Sequence, residues 1–340
     1  MLSFKRFIKG LSGIIFALAI VLSLGAGSVF AAPSGDYLYL GGFPAGFVLN
    51  TKTVEVIGTC DILTEKGAVC PAREQGIKSG DIIESVNGIK IESAADLTKI
   101  LNENFSSYKL SVKRSCETLE IAITPIKDKS SGKKRFGLLV KDCINGIGTV
   151  TYIDKENNTF GSLGHPVTDS EGNLVPINGG TMYGCNIYDV KKGLRGNPGE
   201  LKGIFDNSKM MGIITANTPC GIFGNISSEY DVSSLKKVKP GNAEEASIGK
   251  ATIYSTLHGN KCEEYEVSIV KVDKANKDNR NFVIKINDKR ILEDAGGIVQ
   301  GMSGSPIVQN GKLIGAVTHV FVNDPTRGYG ISLDNMLNAH

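Results

Sequence analysis

From residue 136 to its end, the chain is a succession of short runs rich in Val, Ile and Thr, separated by turns that contain glycine. These residue types favour strands, and many short strands between tight turns are typical of antiparallel sheets and barrels. The chain has 41 glycines and only 11 prolines, which is consistent with many tight turns. We therefore predict a mainly β body over residues 136–340, built as one or two antiparallel barrels.

Charge and cysteine content exclude several classes of protein. The 38 Lys and Arg residues and the 35 Asp and Glu residues are spread along the chain, without the basic blocks that bind nucleic acid. The seven cysteines are widely spaced and fit neither a disulfide framework nor a Cys/His metal site, although a Cys60–Cys70 bridge stays open. We expect no nucleic-acid partner, no metal and no cofactor.

The first 32 residues differ from the rest of the chain. Lys5, Arg6 and Lys9 precede an uncharged stretch that ends at Pro33. This pattern is typical of an export signal, and the stretch is also long enough for a membrane anchor. In both cases the positive charges stay on the cytoplasmic side and the remainder lies outside the cytoplasm. We predict an exported protein whose leader is either cleaved or kept as an anchor helix.

Residues 37–126 form a second unit, and its informative stretch is AREQGIKSGDIIESVNGIKIESAADLTKIL. The stretch predicts a short helix ended by Gly76, a strand over DIIESV, a turn at Asn87-Gly88 and a helix capped by Ser93. It resembles the PDZ signature G-[LI]-x-x-G-D-x-I-x-x-[VI]-N-G at every fixed position. The resemblance implies a small α+β PDZ domain.

The stretch YLGGFPAGFVLN, upstream of this signature, is similar to the loop with which PDZ domains bind a peptide C-terminus. Backbone N–H groups of such a loop bind the terminal carboxylate, and the strand that follows pairs with the peptide. The likeness assigns this role to Gly41, Gly42, Phe43, Gly46 and Phe47. The alternative is a turn that the glycines only shape.

The stretch KDKSSGKKR, residues 127–135, is charged and has no apolar periodicity. We predict a linker between the PDZ unit and the β body, and expect limited proteolysis to cut there first.

Two serines lie one residue apart in GIVQGMSGSPIVQNGKLIGAVTHV, residues 297–320. The segment GMSGSP matches the G-x-S-G-x-P turn of chymotrypsin-like double-barrel proteases, in which the nucleophile and the glycine two residues earlier donate N–H groups to an oxyanion hole. The match assigns Ser303 as the nucleophile, with Gly301 and Ser303 as the oxyanion donors. The strand–hairpin–strand pattern that follows puts Thr318 and His319 on a strand lining the substrate cleft.

A serine nucleophile needs a base, and the chain has four histidines. His165, in NNTFGSLGHPVTD, precedes the serine, as the double-barrel order requires, and lies between a glycine and a proline. It is the predicted general base, with His319 as the fallback. His258 lies in a turn and His340 at the end of the chain.

The whole chain after the leader resembles the stage IV sporulation protein B family, PDZ-bearing serine peptidases of endospore-forming bacteria. The resemblance rests on GSLGHPVTD, RGNPGELKGIF, AGGIVQGMSGSPI and VTHVFVNDPTRGYGI. It implies a catalytic triad of Ser303, His165 and Asp288.

The aspartate is the exception to the expected order. Asp288 lies shortly before the serine, whereas the chymotrypsin-like order places the aspartate much earlier. Asp189, Asp231 and Asp294 therefore stay open as alternatives.

The resemblance also implies a signalling protease in the space between the two forespore membranes. It would cleave itself and then a membrane-bound regulator, and so trigger maturation of a late sigma factor. The PDZ unit would bind a peptide C-terminus of a substrate, of a partner or of the enzyme itself. A non-catalytic PDZ scaffold is one alternative, and an HtrA-type quality-control protease is another, although in that type the PDZ domain follows the protease domain.

Overall fold

The computed structural model describes residues 36–103, 105–169, 171–276 and 278–339. The predicted leader, residues 1–32, lies outside these ranges, as does His340. Within them, no helix is both long enough and apolar enough to cross a membrane. All seven cysteines are free thiols, so the Cys60–Cys70 bridge is not formed.

The chain is mainly β, as predicted. Its strands are β1 Leu38–Leu40, β2 Pro44–Thr59, β3 Ile62–Thr64, β4 Gly67–Val69, β5 Ile82–Val86, β6 Ile89–Lys90, β7 Tyr108–Arg114, β8 Glu117–Ile123, β9 Ile126–Lys127, β10 Lys134–Arg135, β11 Leu138–Asp154, β12 Thr159–Ser162, β13 Ile177–Lys191, β14 Glu200–Thr218, β15 Gly221–Ile226, β16 Lys237–Pro240, β17 Gly249–Ser255, β18 Glu263–Val272, β19 Phe282–Ile286, β20 Pro306–Gln309, β21 Lys312–Phe321 and β22 Asp324–Ser332. Its helices are α1 Pro71–Glu74, α2 Ala94–Leu101, α3 Lys289–Asp294 and α4 Leu333–Leu337.

Six strands close into a first antiparallel barrel. Going round the ring, β11 pairs with β12, β12 with β15, β15 with β14, β14 with β13, β13 with β2, and β2 again with β11. Buried apolar side chains such as Phe47, Val150, Phe160 and Ile214 fill the interior. Because the ring is closed, each of these strands has its hydrogen-bonding edges occupied inside the barrel.

A second antiparallel barrel is built in the same way. Its ring runs β17, β18, β19, β22, β21, β20 and back to β17. Val267, Phe282 and Ile307 belong to its core. A further apolar cluster, which includes Tyr152 and Leu313, joins strands of both barrels, so the two pack as one body.

A smaller α+β unit is inserted between β2 and β11. β5 pairs with β2 and β7, and β7 pairs with β8. Asn87 and Gly88 both have positive φ in the turn between β5 and β6, and the Ser93 hydroxyl caps α2 by accepting the Asp96 N–H. These local predictions are confirmed.

The aspartate of the G-D signature holds this unit together. Asp81 is 1% exposed and accepts hydrogen bonds from the Lys78 N–H and from two nitrogens of the Arg114 guanidinium, both at 2.7 Å. Burial alone would raise the pKa of Asp81, but the bonds from Arg114 and Lys78 outweigh burial and lower it.

The boundaries of the small unit differ from the prediction. β2 runs from the barrel into the unit without a break, and Val54 and Val56 are the first of its residues in the unit's core. At the other end, Phe136 belongs to the same core, and Leu138 and Val140 pack against it. The predicted range 37–126 therefore starts too early and ends too early, because β2 and β11 are shared with the first barrel.

The predicted linker, residues 127–135, is a structured hairpin. β9 and β10 pair across it, and the carboxylate of buried Asp128 accepts bonds from the hydroxyls of Ser130 and Ser131. The prediction was wrong because these polar contacts stabilise the turn without any apolar periodicity. The two units are joined instead by the paired strands β2 and β11.

Candidate active site

Ser303 lies in the turn of residues 301–305, where the two barrels meet. On one side the Thr149 N–H of the first barrel donates to the Ser303 carbonyl at 2.9 Å. On the other side the Gly304 N–H donates to the Val317 carbonyl of the second barrel at 2.8 Å. Ser303 itself is half-buried. Both barrels therefore determine where the serine lies.

Two buried threonines of β11 hold the same turn through their side chains. The Thr149 hydroxyl donates to the Gly301 carbonyl and the Thr151 hydroxyl to the Gly304 carbonyl, each at 2.8 Å. The approach is so close that a Cβ at position 304 would lie 2.0 Å from the Thr149 carbonyl oxygen. Sequence reasoning missed this pair, although the alternation in GTVTYID puts both hydroxyls on one face of the strand.

The backbone of the turn is suited to hold an oxyanion. Gly301 has φ +96°, a left-handed conformation that favours glycine. Its N–H and that of Ser303 make no hydrogen bond to another residue of the described ranges. Two unused N–H donors therefore remain in the turn at the predicted oxyanion positions.

The Ser303 hydroxyl is not free in this structure. It donates to the Thr318 carbonyl at 2.7 Å. The Thr318 side chain is only 3% exposed, and its hydroxyl oxygen has no hydrogen-bond partner in the described part of the chain. Thr318 thus contributes its carbonyl to the site, whereas a cleft-lining side chain had been predicted. His319, the next residue on β21, is exposed.

His165 follows β12 in a tight loop that presses against β21. Leu163 and Gly164, just before it, have φ values of 65° and 70°. A Cβ at Gly164 would lie 2.9 Å from Cγ2 of Thr318, so the loop and β21 are in close contact. The rings of His165 and His319 pack together, with 4.8 Å between their centroids. Ser303 and His165 therefore both adjoin the Thr318–His319 segment.

The protonation of His165 follows from its contacts. Its Nδ1 lies 2.9 Å from the Pro166 carbonyl oxygen, which can only accept, so Nδ1 carries the proton and Nε2 is left with a lone pair. Burial lowers the pKa of His165, although the Pro166 bond acts against it. His319 is exposed as a residue, but its ring packs against His165; this partial desolvation, together with repulsion from His165 and Arg280, lowers the pKa of His319 to about 4. Both rings are neutral at pH 7.

The structure does not bring Asp288 to His165. Asp288 caps α3, where its carboxylate accepts the Arg290 and Glu266 N–H groups and pairs with the Arg290 guanidinium at 2.9 Å. No hydrogen bond among the described residues joins it to His165. The predicted triad is therefore not assembled here, because the helix cap and Arg290 use this carboxylate.

The alternative carboxylates are also engaged elsewhere. Asp189 pairs with Lys202, Asp231 accepts from Ser233, and Asp294 contacts His258. In this structure the Pro166 carbonyl is the group that orients the His165 ring.

Ser303 and His165 lie against the same strand segment but are not hydrogen-bonded to each other. The serine proton points to the Thr318 carbonyl, and no hydrogen bond links Ser303 to His165 within the described residues. A working site requires the Ser303 hydroxyl to turn from that carbonyl towards Nε2 of His165.

The predicted carboxylate-binding loop is wrong. Gly46 and Phe47 lie on β2 where β11 pairs with one edge and β13 with the other, so no peptide strand can be added there. Phe43 and Phe47 are 9% and 3% exposed and belong to the barrel core. Gly41 and Gly42 donate N–H bonds to Thr151 and Val150 carbonyls of β11.

Comparison with known proteins agrees with a peptidase assignment. The family model described as SpoIVB peptidase S55 matches residues 132–337. A curated relative, the regulator of sigma-W protease RasP of Bacillus subtilis (strain 168), is 40% identical over 76 residues, which are 22% of this chain and 17% of that protein. The match thus spans about a sixth of the relative's length.

Several solved structures are distantly similar, among them the following two. One is the inactive form of the Rv3671c protease of M. tuberculosis H37Rv, with a TM-score of 0.32, 14% identity, and coverage of 57% of this chain and 82% of that one. The other is the HtrA-type protease AlgW with a decapeptide, with a TM-score of 0.33, 14% identity, and coverage of 61% and 55%. Likenesses at this level assign no residue.

Proposed function

Because the chain belongs to the SpoIVB peptidase S55 family and is a serine endopeptidase, we propose that it is an exported signalling protease that cleaves itself and a membrane-bound protein. Ser303 is the nucleophile and His165 the general base. The observation that supports the residue assignment is the turn at 301–305, where a half-buried serine lies beside two unused N–H donors. This serine adjoins the same Thr318–His319 segment as His165, whose Nε2 is available.

The chemistry follows from these positions. Once the Ser303 hydroxyl faces His165, Nε2 takes its proton while Oγ attacks the carbonyl carbon of the scissile bond. The N–H groups of Gly301 and Ser303 bind the oxyanion of the tetrahedral intermediate, an interaction worth about 10²–10³ in rate for each donor. His165 then protonates the leaving amine, and the acyl-enzyme that remains is hydrolysed by water with His165 again as base.

The biological role is supported by sequence resemblance. The strings GSLGHPVTD and AGGIVQGMSGSPI are similar to the sporulation family, and the basic-then-apolar start of the chain is typical of export. We propose that the protein acts between the forespore membranes, and that its small unit is a PDZ domain that captures a peptide C-terminus of substrate, partner or enzyme. A reporter that is active only outside the cytoplasm, fused after residue 35, tests export; an inactive fusion contradicts it.

Labelling with a fluorophosphonate tests the nucleophile. Ser303→Ala should abolish labelling and self-cleavage, whereas Ser305→Ala should keep at least part of both. Ser305 is a matched control because it lies in the same turn but is fully buried and bonded to the Ser255 hydroxyl at 3.0 Å. Labelling that survives in Ser303→Ala and vanishes in Ser305→Ala would reverse the assignment.

The substrate class needs a separate experiment. Membranes of sporulating cells incubated with the enzyme should yield new N-termini in a membrane-anchored protein, and these should be absent with Ser303→Ala. New N-termini confined to unfolded soluble proteins would favour the quality-control alternative.

A further inference from the structure

Strand β11 has an open edge beside the catalytic turn. β12 pairs with β11 only from Val150 onward, whereas β2 covers the opposite edge of β11 ahead of that residue. The Thr149 N–H points away from β2 and donates to the Ser303 carbonyl at 2.9 Å. Because alternate residues of a strand direct their backbone groups to the same edge, Ile147 and Asn145 also point theirs away from β2. No described strand pairs with them on that side, so these groups are available to a ligand.

A cavity of about 400 Å³ lies along this open edge. It is lined by Asn145 and Ile147 of β11, by Glu200, Leu201 and Phe205 of β14, and by Gln300. Its volume is in the ordinary range of ligand sites. Since Gln300 directly precedes Gly301, the cavity opens next to the proposed oxyanion hole.

Two partly buried apolar side chains form a wall of the cavity. The Ile147 side chain reaches β14, because a Cβ at Gly203 would lie 3.0 Å from its Cδ1. The Phe205 ring lies over Gly46, the β2 partner of Ile147. Ile147 and Phe205 pack against the core of the second barrel without being fully covered. A ligand side chain that covers them removes further apolar surface from water.

Leu201 joins this cavity to the catalytic turn. A Cβ at Gly301 would lie 3.0 Å from the Leu201 Cβ, and the Leu201 N–H donates to the Gln300 carbonyl at 2.8 Å. A peptide whose scissile carbonyl is held by the N–H groups of Gly301 and Ser303 therefore has the cavity within reach of its neighbouring residues.

Strand polarity decides which side of the scissile bond lies along the edge. All pairings in the two barrel rings are antiparallel, and antiparallel pairing is the more stable per residue. β11 runs towards the catalytic turn, from Asn145 to Thr149. A strand antiparallel to it starts at the turn and runs away from it, so it carries the residues that follow the scissile bond.

We infer that the open edge at Asn145 and Ile147 binds the leaving-group side of the substrate as an added strand, and that the cavity selects an apolar side chain at the second residue after the scissile bond. This inference rests on the proposed function, and it makes Ile147 and Phe205 specificity-determining residues.

The position follows from the spacing along β11. The first residue after the scissile bond adjoins Ser303, to which Thr149 is already bonded. The next outward-pointing backbone groups belong to Ile147, which therefore exchanges both hydrogen bonds with the second residue. Residues directly opposite each other in an antiparallel pair have their side chains on the same face, so this side chain enters the cavity beside Ile147 and Phe205.

Two exclusions follow for the second residue. Proline has no N–H to donate to the Ile147 carbonyl, so it cannot complete the pairing. A carboxylate would be desolvated against Ile147 and Phe205 without a partner.

Sequencing of cleavage sites tests the inference. A proteome-derived peptide library is digested with the full-length enzyme, and the new N-termini are identified by mass spectrometry. Leucine, isoleucine, valine, methionine and phenylalanine should exceed aspartate by about tenfold or more at the second residue after the cut, and proline should be depleted there. A wild-type enzyme without preference at this residue overturns the inference.

Two variants and a matched control test the named residues. Ile147→Lys puts a cation in the cavity wall and should shift the preference towards aspartate and glutamate. Phe205→Ala enlarges the cavity and should favour phenylalanine over valine, which keeps the test valid if Ile147→Lys does not fold. Ile204→Lys is the control, because Ile204 is 65% exposed and, next to Phe205, points to the other face of β14. The control should keep the wild-type preference, and folded variants that also keep it overturn the inference.

Hydrogen exchange separates this inference from the proposed function. In Ser303→Ala, an excess of the peptide Ala-Leu-Ala-Thr-Ala, which resembles a leaving product, should slow amide exchange at Asn145 and Ile147, whereas Ala-Asp-Ala-Thr-Ala should not. If wild type neither takes the fluorophosphonate nor cuts the library, the proposed function fails, while slowed exchange still supports the strand site and unchanged exchange overturns it. If wild type cuts without preference and exchange is unchanged, the inference fails alone.

Discussion

Replacing Thr151 by valine tests whether β11 holds the catalytic turn. The Thr151 side chain is fully buried, and its hydroxyl donates to the Gly304 carbonyl at 2.8 Å. Valine keeps the shape and removes only this donor. Because the Gly304 carbonyl has no other partner among the described residues, the change leaves a buried acceptor unsatisfied, which costs about 1–3 kcal/mol. We expect the free energy of unfolding to fall by that amount.

The same change should slow the chemistry. The turn that positions Ser303 and the oxyanion donors loses one of its two side-chain anchors, and each ~1.4 kcal/mol lost at the transition state is a factor of ten in rate. Unfolding in urea is followed by far-UV circular dichroism, and activity by fluorophosphonate labelling. Thr118→Val, at an exposed threonine of β8, is the control and should stay within about 0.5 kcal/mol of wild type. If Thr151→Val matches this control in both stability and labelling rate, the hydrogen bond does not hold the turn.

Three further predictions concern ionisable side chains. Asp288→Asn should lower the melting temperature by weakening the α3 cap and the Arg290 pair, yet keep activity within about tenfold of wild type. Replacing a triad aspartate in this way costs roughly 10⁴ in kcat, so a loss of that size would restore Asp288 to the triad. Because Arg114 and Lys78 hold the pKa of Asp81 below its ordinary value, the stability that this carboxylate gives is complete above about pH 4 and is lost as the pH falls through the lower, folded-state pKa. Asp81→Asn should therefore reduce stability at pH 7 and flatten its acid dependence in urea titrations, and an unchanged acid dependence would exclude this role. Burial lowers the pKa of His165, so the neutral base persists and the acid limb of kcat/KM should lie below about pH 6.5; a limb above that pH would argue against His165 as the base.

Local patterns predicted local structure well. The turn at Asn310-Gly311 has φ values of 51° and 75° and joins β20 to β21, as the sequence predicts for a hairpin after the serine. The helix cap at Ser93 was predicted in the same way, from residue types and spacing. The strand pattern predicted an antiparallel body of one or two barrels, and the structure has two. These features depend on neighbours within a few residues or on a repeated pattern, and the sequence displays both.

Features decided by distant partners were not predicted. Gly46 and Phe47 have the glycine and aromatic pattern of a ligand-binding loop, but β11 and β13, which follow more than 90 residues later in the chain, occupy both edges of their strand. The group that orients the His165 ring is a backbone carbonyl, which no sequence motif displays. The Asp288 carboxylate is paired with Arg290 and not with His165. Thr149 was missed because a threonine in a buried strand has no local sign of the turn that it contacts.

The central claim is that the turn at 301–305 holds the nucleophile and the oxyanion hole, and a crystal structure of the enzyme inhibited by a peptidyl phosphonate tests it most directly. We predict a covalent bond from Ser303 Oγ to phosphorus, the phosphonyl oxygen about 2.7–3.1 Å from the N–H nitrogens of Gly301 and Ser303, and Nε2 of His165 turned towards the adduct. An adduct on another residue, or a phosphonyl oxygen that faces away from both N–H groups, would contradict the account.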